Sequence, residues 1–153
     1  MSTKTIVTLD ELPALVGTSI GPSDWLEITQ DRVDTFADAT DDHQWIHVDA
    51  ERCARESPFG QPVAHGFLTL SLLPAMLTSA LAIEGMRIGV NYGLNKVRFP
   101  SSLPAGSRVR GRWLLRGADA VAGGWQFCWD VTIEAEGAGK PVCVAEFLIR
   151  CYA

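Results

Sequence analysis

Hydrophobic and polar positions alternate most regularly in the second half of the chain. Trp125, Phe127, Trp129, Val131 and Ile133 share one face, and Gln126, Asp130, Thr132 and Glu134 take the other. A period of two marks a strand with one side buried. Val109, Gly111, Trp113 and Leu115 alternate in the same way with Arg108, Arg110, Arg112 and Leu114, and Cys143, Ala145, Phe147, Ile149 and Cys151 form a third apolar face. "EGAGK" at 136–140 supplies a hairpin turn, while "PSSLPAGS" and "AGG" supply other breaks. With an earlier strand around "RIGVNYGLNKVRF", the pattern predicts four consecutive antiparallel strands. A turn centred near Gly137 would set Cys143 opposite Val131 and point Cys128 to the other face, so no Cys128–Cys143 disulfide is expected.

The first half has a helical rhythm. "TQDRVDTFADAT" spaces Val33, Phe36 and Ala37 along one helix face, with Thr29 as its N-cap. "DAERCARE" reads as a short helix capped by Asp49, and "SPFGQP" as a loop. "HGFLTLSLLPAMLTSALAI" is apolar on nearly every side, so a helix there must be surrounded by protein. Pro74 in its interior removes one hydrogen bond and should kink it. One buried helix against the apolar face of an antiparallel sheet gives an α+β fold. A chain of 153 residues fits one domain, 1–153, that buries roughly 70% of its unfolded surface.

Composition changes this picture mainly by exclusion. Apolar residues make up 47% and charged residues 20%, which excludes wholesale disorder. A net charge of −5 argues against nonspecific nucleic-acid binding, which needs a dense positive surface. "MSTKTIVTLDELP" has no apolar stretch of the secretory kind, and the run from Phe67 to Ile83 is too short and too interrupted to span a bilayer. A cytoplasmic protein without membrane contact is expected. Cys53, Cys128, Cys143 and Cys151 form no CxxC pair, and Cys143 and Cys151 would stand roughly 26 Å apart on one strand. They read as reduced structural thiols.

Several motifs dissolve on inspection. "GTSIG" at 17–21 has the spacing of a serine nucleophile elbow, but Pro22 follows at once and the chain is not an alternating β/α sequence; it reads as a turn. "GAGKP" lacks the early glycine, the hydroxyl residue and the following helix of a phosphate loop. Arg108, Arg110, Arg112 and Arg116 read as the solvated face of a strand, with cofactor-phosphate binding as the lesser alternative.

"DDHQWIH" at 41–47 carries the densest chemistry. Asp41, Asp42, His43 and His47 fit a polar connector, a metal site or an acid–base pair. His43 and His47 would share a helix face, yet His65 is the only other histidine and a catalytic zinc takes three protein ligands, so no metal is expected. Trp45 and Ile46 would draw the segment inward, where unpaired acids are costly.

Two segments in order, D-D-H-Q-W-I-H and then Val63-Ala64-His65-Gly66 at the start of the apolar helix, resemble the MaoC-like family of (R)-specific enoyl-CoA hydratases and dehydratases. The family pattern runs roughly G-D-x-N-P-[LIV]-H, followed by [IV]-[VA]-H-G, and "NYGLNKVRFPSSLPAG" resembles its next strand and turn. The likeness spans about Trp25 to Cys151. Asp41 stands for glycine, Gln44 for asparagine and Trp45 for proline, and the Gln-Trp version resembles the nodulation-protein-N-like branch.

The resemblance implies a hot-dog fold, a sheet wrapped around one long helix, usually as a homodimer. It implies catalytic roles for Asp42 and His47 and an oxyanion-binding backbone N–H at Gly66. Gln44, Trp45, His65, Asn91 and Tyr92 would support the site or line the substrate pocket. The implied reaction adds water across a trans-2-enoyl thioester, or removes it from an (R)-3-hydroxyacyl thioester. Such chemistry needs a base, an acid and donors for an enolate-like oxygen, and a carboxylate walled by apolar groups is the stronger base. No metal or redox cofactor enters; acyl-CoA or an acyl-carrier-protein thioester would be the substrate. A hot-dog thioesterase is the nearest other enzyme, although no Asp or Glu lies between Gly66 and Ile83. A non-catalytic acyl-thioester-binding subunit is the alternative of another class.

Overall fold

The computed structural model describes residues 3–153. The chain runs β1 (Thr5–Thr8), a 3-10 turn at Leu12–Leu15, β2 (Ser19–Ile20), β3 (Leu26–Glu27), α1 (Gln30–Thr40), α2 (Trp45–Val48) and α3 (Ala50–Glu56). It continues through α4 (Gly66–Ser71), α5 (Leu73–Ala80), β4 (Leu81–Glu84), β5 (Ile88–Arg98), β6 (Arg108–Val121), β7 (Gly124–Ala135) and β8 (Cys143–Tyr152). "GTSIG" forms the turn into β2 and no strand–helix elbow.

The three apolar faces meet as the alternation demands. Val109, Trp113 and Leu115 on β6, Phe127, Trp129, Val131 and Ile133 on β7, and Cys143, Ala145 and Phe147 on β8 are all buried. Leu68, Leu73, Met76, Leu77 and Ala80 of α4 and α5 belong to the same core. A helical layer against one face of an antiparallel sheet is the expected α+β architecture. The opposite face carries ion pairs: Arg108 with Glu136, Arg110 and Arg112 with Glu134, and Arg116 with Asp130 and Glu146. The arginine row is therefore engaged across strands.

The strand order differs from a simple meander. The sheet runs β2-β6-β7-β8-β5, with β3 also on β6, so β5 pairs with β8 and not with its sequence neighbour β6. The hairpin register also differs: Cys143 stands opposite Ile133, and Val131 opposite Ala145. The loop from Glu136 to Val142 is asymmetric. Ala138 closes a turn onto the Ala135 carbonyl, while the Lys140 and Pro141 carbonyls accept from Ser101 Oγ. That shift is by two residues, so the apolar face survives. All four cysteines are free.

The apolar helix is two helices. Pro74 sits in the first turn of α5, where its missing N–H does no harm, and the break falls at Leu72. The segment expected to finish the helix instead becomes β4, which pairs in parallel with β1, Thr5 opposite Leu81. Burial is not complete either, since Phe67 is 69% exposed. Among the described residues no helix is long and apolar enough to cross a membrane.

Candidate active site

The site begins where α1 ends. Thr29 caps α1 by accepting from the Arg32 N–H, as its sequence signature predicts. At the other end Asp41 turns the chain with φ of 57°, a left-handed conformation that Asp tolerates better than most residues. That geometry explains why the family pattern has glycine at this position. Asp42, His43 and Gln44 follow as an exposed turn, and α2 lifts His47 inward until it is only 8% exposed. Asp49 then caps α3 through the Arg52 N–H.

Main-chain carbonyls fix the imidazoles. His47 Nδ1 lies 2.6 Å from the Val63 carbonyl, which can only accept, so Nδ1 carries the proton and Nε2 is the free edge of a neutral ring. Burial pushes the His47 pKa below the ordinary 6.5; the Val63 bond opposes this, the His65 ring adds a further lowering and Asp42 a raising contribution. Gln30 of α1 donates to the His47 carbonyl at 2.8 Å and to Asp34 at 2.9 Å, holding α2 against α1.

His65 is the residue whose surroundings the sequence did not disclose. Its ring stacks on His47 with centroids 3.8 Å apart and 23° between planes. Its Nε2 donates to the Asp42 carbonyl at 3.0 Å, and Phe36 packs against it at 4.8 Å. The signal available was its place immediately before Gly66; nothing in the spacing revealed the stack. Gln30 and Phe36 carried no motif at all.

Side-chain donor atoms of Asp42, His47 and His65 all lie within 4.8 Å of one another, a spacing a metal could use. The rings argue otherwise. Stacked imidazoles direct their in-plane lone pairs side by side, where metal ligands must converge on one ion. One nitrogen of each ring is held by a carbonyl and the other is left free.

The remaining predicted residues divide. Gly66 is the first residue of α4, whose start no side chain caps, and a Cβ there would stand 2.9 Å from the Phe99 ring. A pocket of about 310 Å³ opens beside it, lined by Phe59, Ala64, Thr69, Phe99, Leu103 and Val142 among others. Gln44 precedes α2 and accepts from the His47 N–H, while Trp45 is half-buried under Arg52, 4.2 Å from its guanidinium carbon. Asn91 and Tyr92 lie apart, on β5, with Arg150 3.7 Å over the half-exposed Tyr92 ring. His43 pairs with Asp38 at the surface. The expectation that Trp45 and Ile46 would bury Asp42 is not met: the turn stays outside because only its main chain is drawn in, by His65.

Residues 11–127 match the MaoC like domain. The 3-hydroxyacyl-thioester dehydratase Z of Mycobacterium tuberculosis is 48% identical over 151 residues, covering 98% of this chain and 99% of the relative. Nodulation protein N of Rhizobium leguminosarum bv. viciae is 45% identical over 148 residues, covering 93% and 89%. Among solved structures, the (R)-hydratase from A. caviae involved in PHA biosynthesis superposes with a TM-score of 0.71 at 20% identity, covering 88% of this chain and 94% of that one. The MaoC-like dehydratase from Rhodospirillum rubrum gives 0.70 at 17% identity, covering 90% and 92%. At that identity these two speak for the fold alone.

Proposed function

The chain belongs to the MaoC-like domain family, and on that premise we propose that it is a hydro-lyase for acyl thioesters, adding water to a trans-2-enoyl thioester or removing it from the (R)-3-hydroxyacyl product. The observation that carries this reading is the fixed tautomer of His47, which leaves Nε2 as the free lone pair of a ring with a donor atom within 4.8 Å of one from Asp42. One water between the two side chains gives its oxygen to C3 and a proton to the protein, and C2 receives a proton in return, so the cycle is redox-neutral. A neutral buried imidazole beside a carboxylate can move both protons near neutral pH. The N–H groups at the start of α4 would hold the thioester oxygen as it gains enolate character. With only six residues α4 has a small dipole, so this help comes from the N–H groups themselves. The pocket beside Gly66 is the natural seat for the acyl chain, with CoA or a carrier protein as the handle.

The active form in this reading is a homodimer. Ile88, Val90 and Tyr92 alternate along β5 as a buried strand would, yet each is at least 41% exposed on an open edge. A twofold copy would cover that face. Light scattering should find twice the 16.6 kDa chain mass. Free thiols suit a reducing cytoplasm.

The decisive experiment gives the protein crotonyl-CoA and longer 2-enoyl-CoAs. Enoyl-thioester absorbance should fall with no release of free thiol, and chiral analysis should return the (R) alcohol. Thiol release in step with the absorbance would make the protein a thioesterase. An (S) product would break the stereochemical part of the proposal, and no turnover with any carrier would leave a binding subunit.

A further inference from the structure

We infer that His65 is a positioning residue for the catalytic pair: a single buried ring that fastens the Asp42 main chain with its N–H and backs the His47 imidazole with its face. The inference rests on reading Asp42 and His47 as that pair, and it adds a residue to which the proposed chemistry assigns no step.

Four observations converge on it. His65 is 3% exposed, and its own carbonyl accepts from the Leu68 and Thr69 N–H groups, so the ring hangs from a fixed point at the start of α4. From there Nε2 reaches the Asp42 carbonyl at 3.0 Å, in a turn whose side chains are otherwise exposed. The same ring lies 3.8 Å from His47 by centroid, and Phe36 limits its tilt. Finally, Nδ1 is buried with no hydrogen-bond partner among the described residues. A buried nitrogen left unpaired costs stability, so an apolar ring of the same shape would pack better. Histidine at 65 is explained by its other edge, which holds the main chain of one catalytic residue while its face holds the ring of the other.

His47 senses this arrangement. The titratable groups acting on it are Asp42 from the turn and His65 from the start of α4. From α1 it meets the Gln30 amide, itself held by Asp34, and from the strap before α4 the Val63 carbonyl. Removing the His65 ring removes both a lowering influence and part of the wall that excludes water.

Two variants separate positioning from filling. His65→Phe keeps ring, burial and stacking surface but cannot donate to Asp42. His65→Gln keeps a donor and loses the stack. In full-length protein, His65→Phe should cut kcat for crotonyl-CoA hydration by about 10- to 100-fold with KM changed by less than about threefold, because Asp42 loses its register and not its substrate. His65→Gln should restore part of that kcat and move the His47 ring titration, followed by NMR in the absence of substrate, up toward 6.5. Wild-type kcat in folded His65→Phe, or an unmoved His47 titration in His65→Gln, would reduce His65 to a packing residue. If one variant does not fold, the other carries both readouts. Failure of the wild type to hydrate any enoyl thioester would defeat the activity assignment, and the NMR titration would then judge the contact alone.

Discussion

Polar side chains are handled in opposite ways on the long strands β6–β8 and around the buried His47–His65 pair. On the strands each arginine of the outer row meets a carboxylate across the ladder, and the Arg110 hydrogen bond holds Glu134 below the usual carboxylate range. Such groups have satisfied one another, and beneath them Trp113, Trp129 and Phe127 fill the core. In the pair, His47 and His65 bind main-chain carbonyls, which fix the proton and leave one ring edge uncommitted. The first region uses its polar capacity within the fold; the second leaves some of it unpaired, which is what the proposed reaction needs.

If that contrast is sound, mutations in the two regions should affect different measurements. Asp42→Asn and His47→Gln should each lower kcat/KM by roughly 10²–10⁴ with little change in melting temperature, and the double variant should lose far less than the product, since in the proposed reaction both act on one water. Additive losses would mean the two residues do not share a step. Trp129→Ala should do the reverse, costing about 3–5 kcal/mol in urea unfolding while the folded fraction keeps its turnover. A smaller effect sharpens the comparison through pH. Because His47 titrates below 6.5 when folded, an unfolded chain takes up its proton first on acidification. Stability from this group is thus present above that pH and lost as pH falls through it, and the acid limb of kcat/KM should have its midpoint below 6.5. Smallest of all, Arg110→Gln should cost about 0–1 kcal/mol, as half-exposed pairs do, and His43→Gln should leave turnover unchanged.

Much of the fold was legible because alternation and helical spacing report which face of an element is buried. They do not report what buries it. β5 alternates from Ile88 to Tyr92 as β7 does, yet it pairs with β8, breaks register at two bulges and leaves those apolar side chains exposed. The exchange of the last helical turn for β4 was decided by a partner at the N-terminal strand, which no local window contains. At the candidate site, Asp42, His47 and Gly66 were singled out by the family likeness. The His47–His65 stack was not, because the two rings approach through the packing of α2 against the start of α4 and not through any periodicity. Asp42 was expected inside and its side chain lies outside: His65 holds only its main chain, and the neighbouring Trp45 ring packs under Arg52.

The parallel pair β1–β4 has a consequence for how the chain acquires its shape in time. Thr5 meets Leu81 only after about 76 residues have been looped, a closure costing about 4 kcal/mol of entropy before the first contact is made. β5 likewise waits for β8, with Ile88 opposite Tyr152. Sheets made of such distant partners fold on the millisecond-to-second scale. During synthesis β6 and β7 can close as a hairpin while β5, already made, has no strand to join. Its row of apolar side chains and unpaired backbone groups is then the surface that chaperones would meet first, and the one through which a slow folder would aggregate.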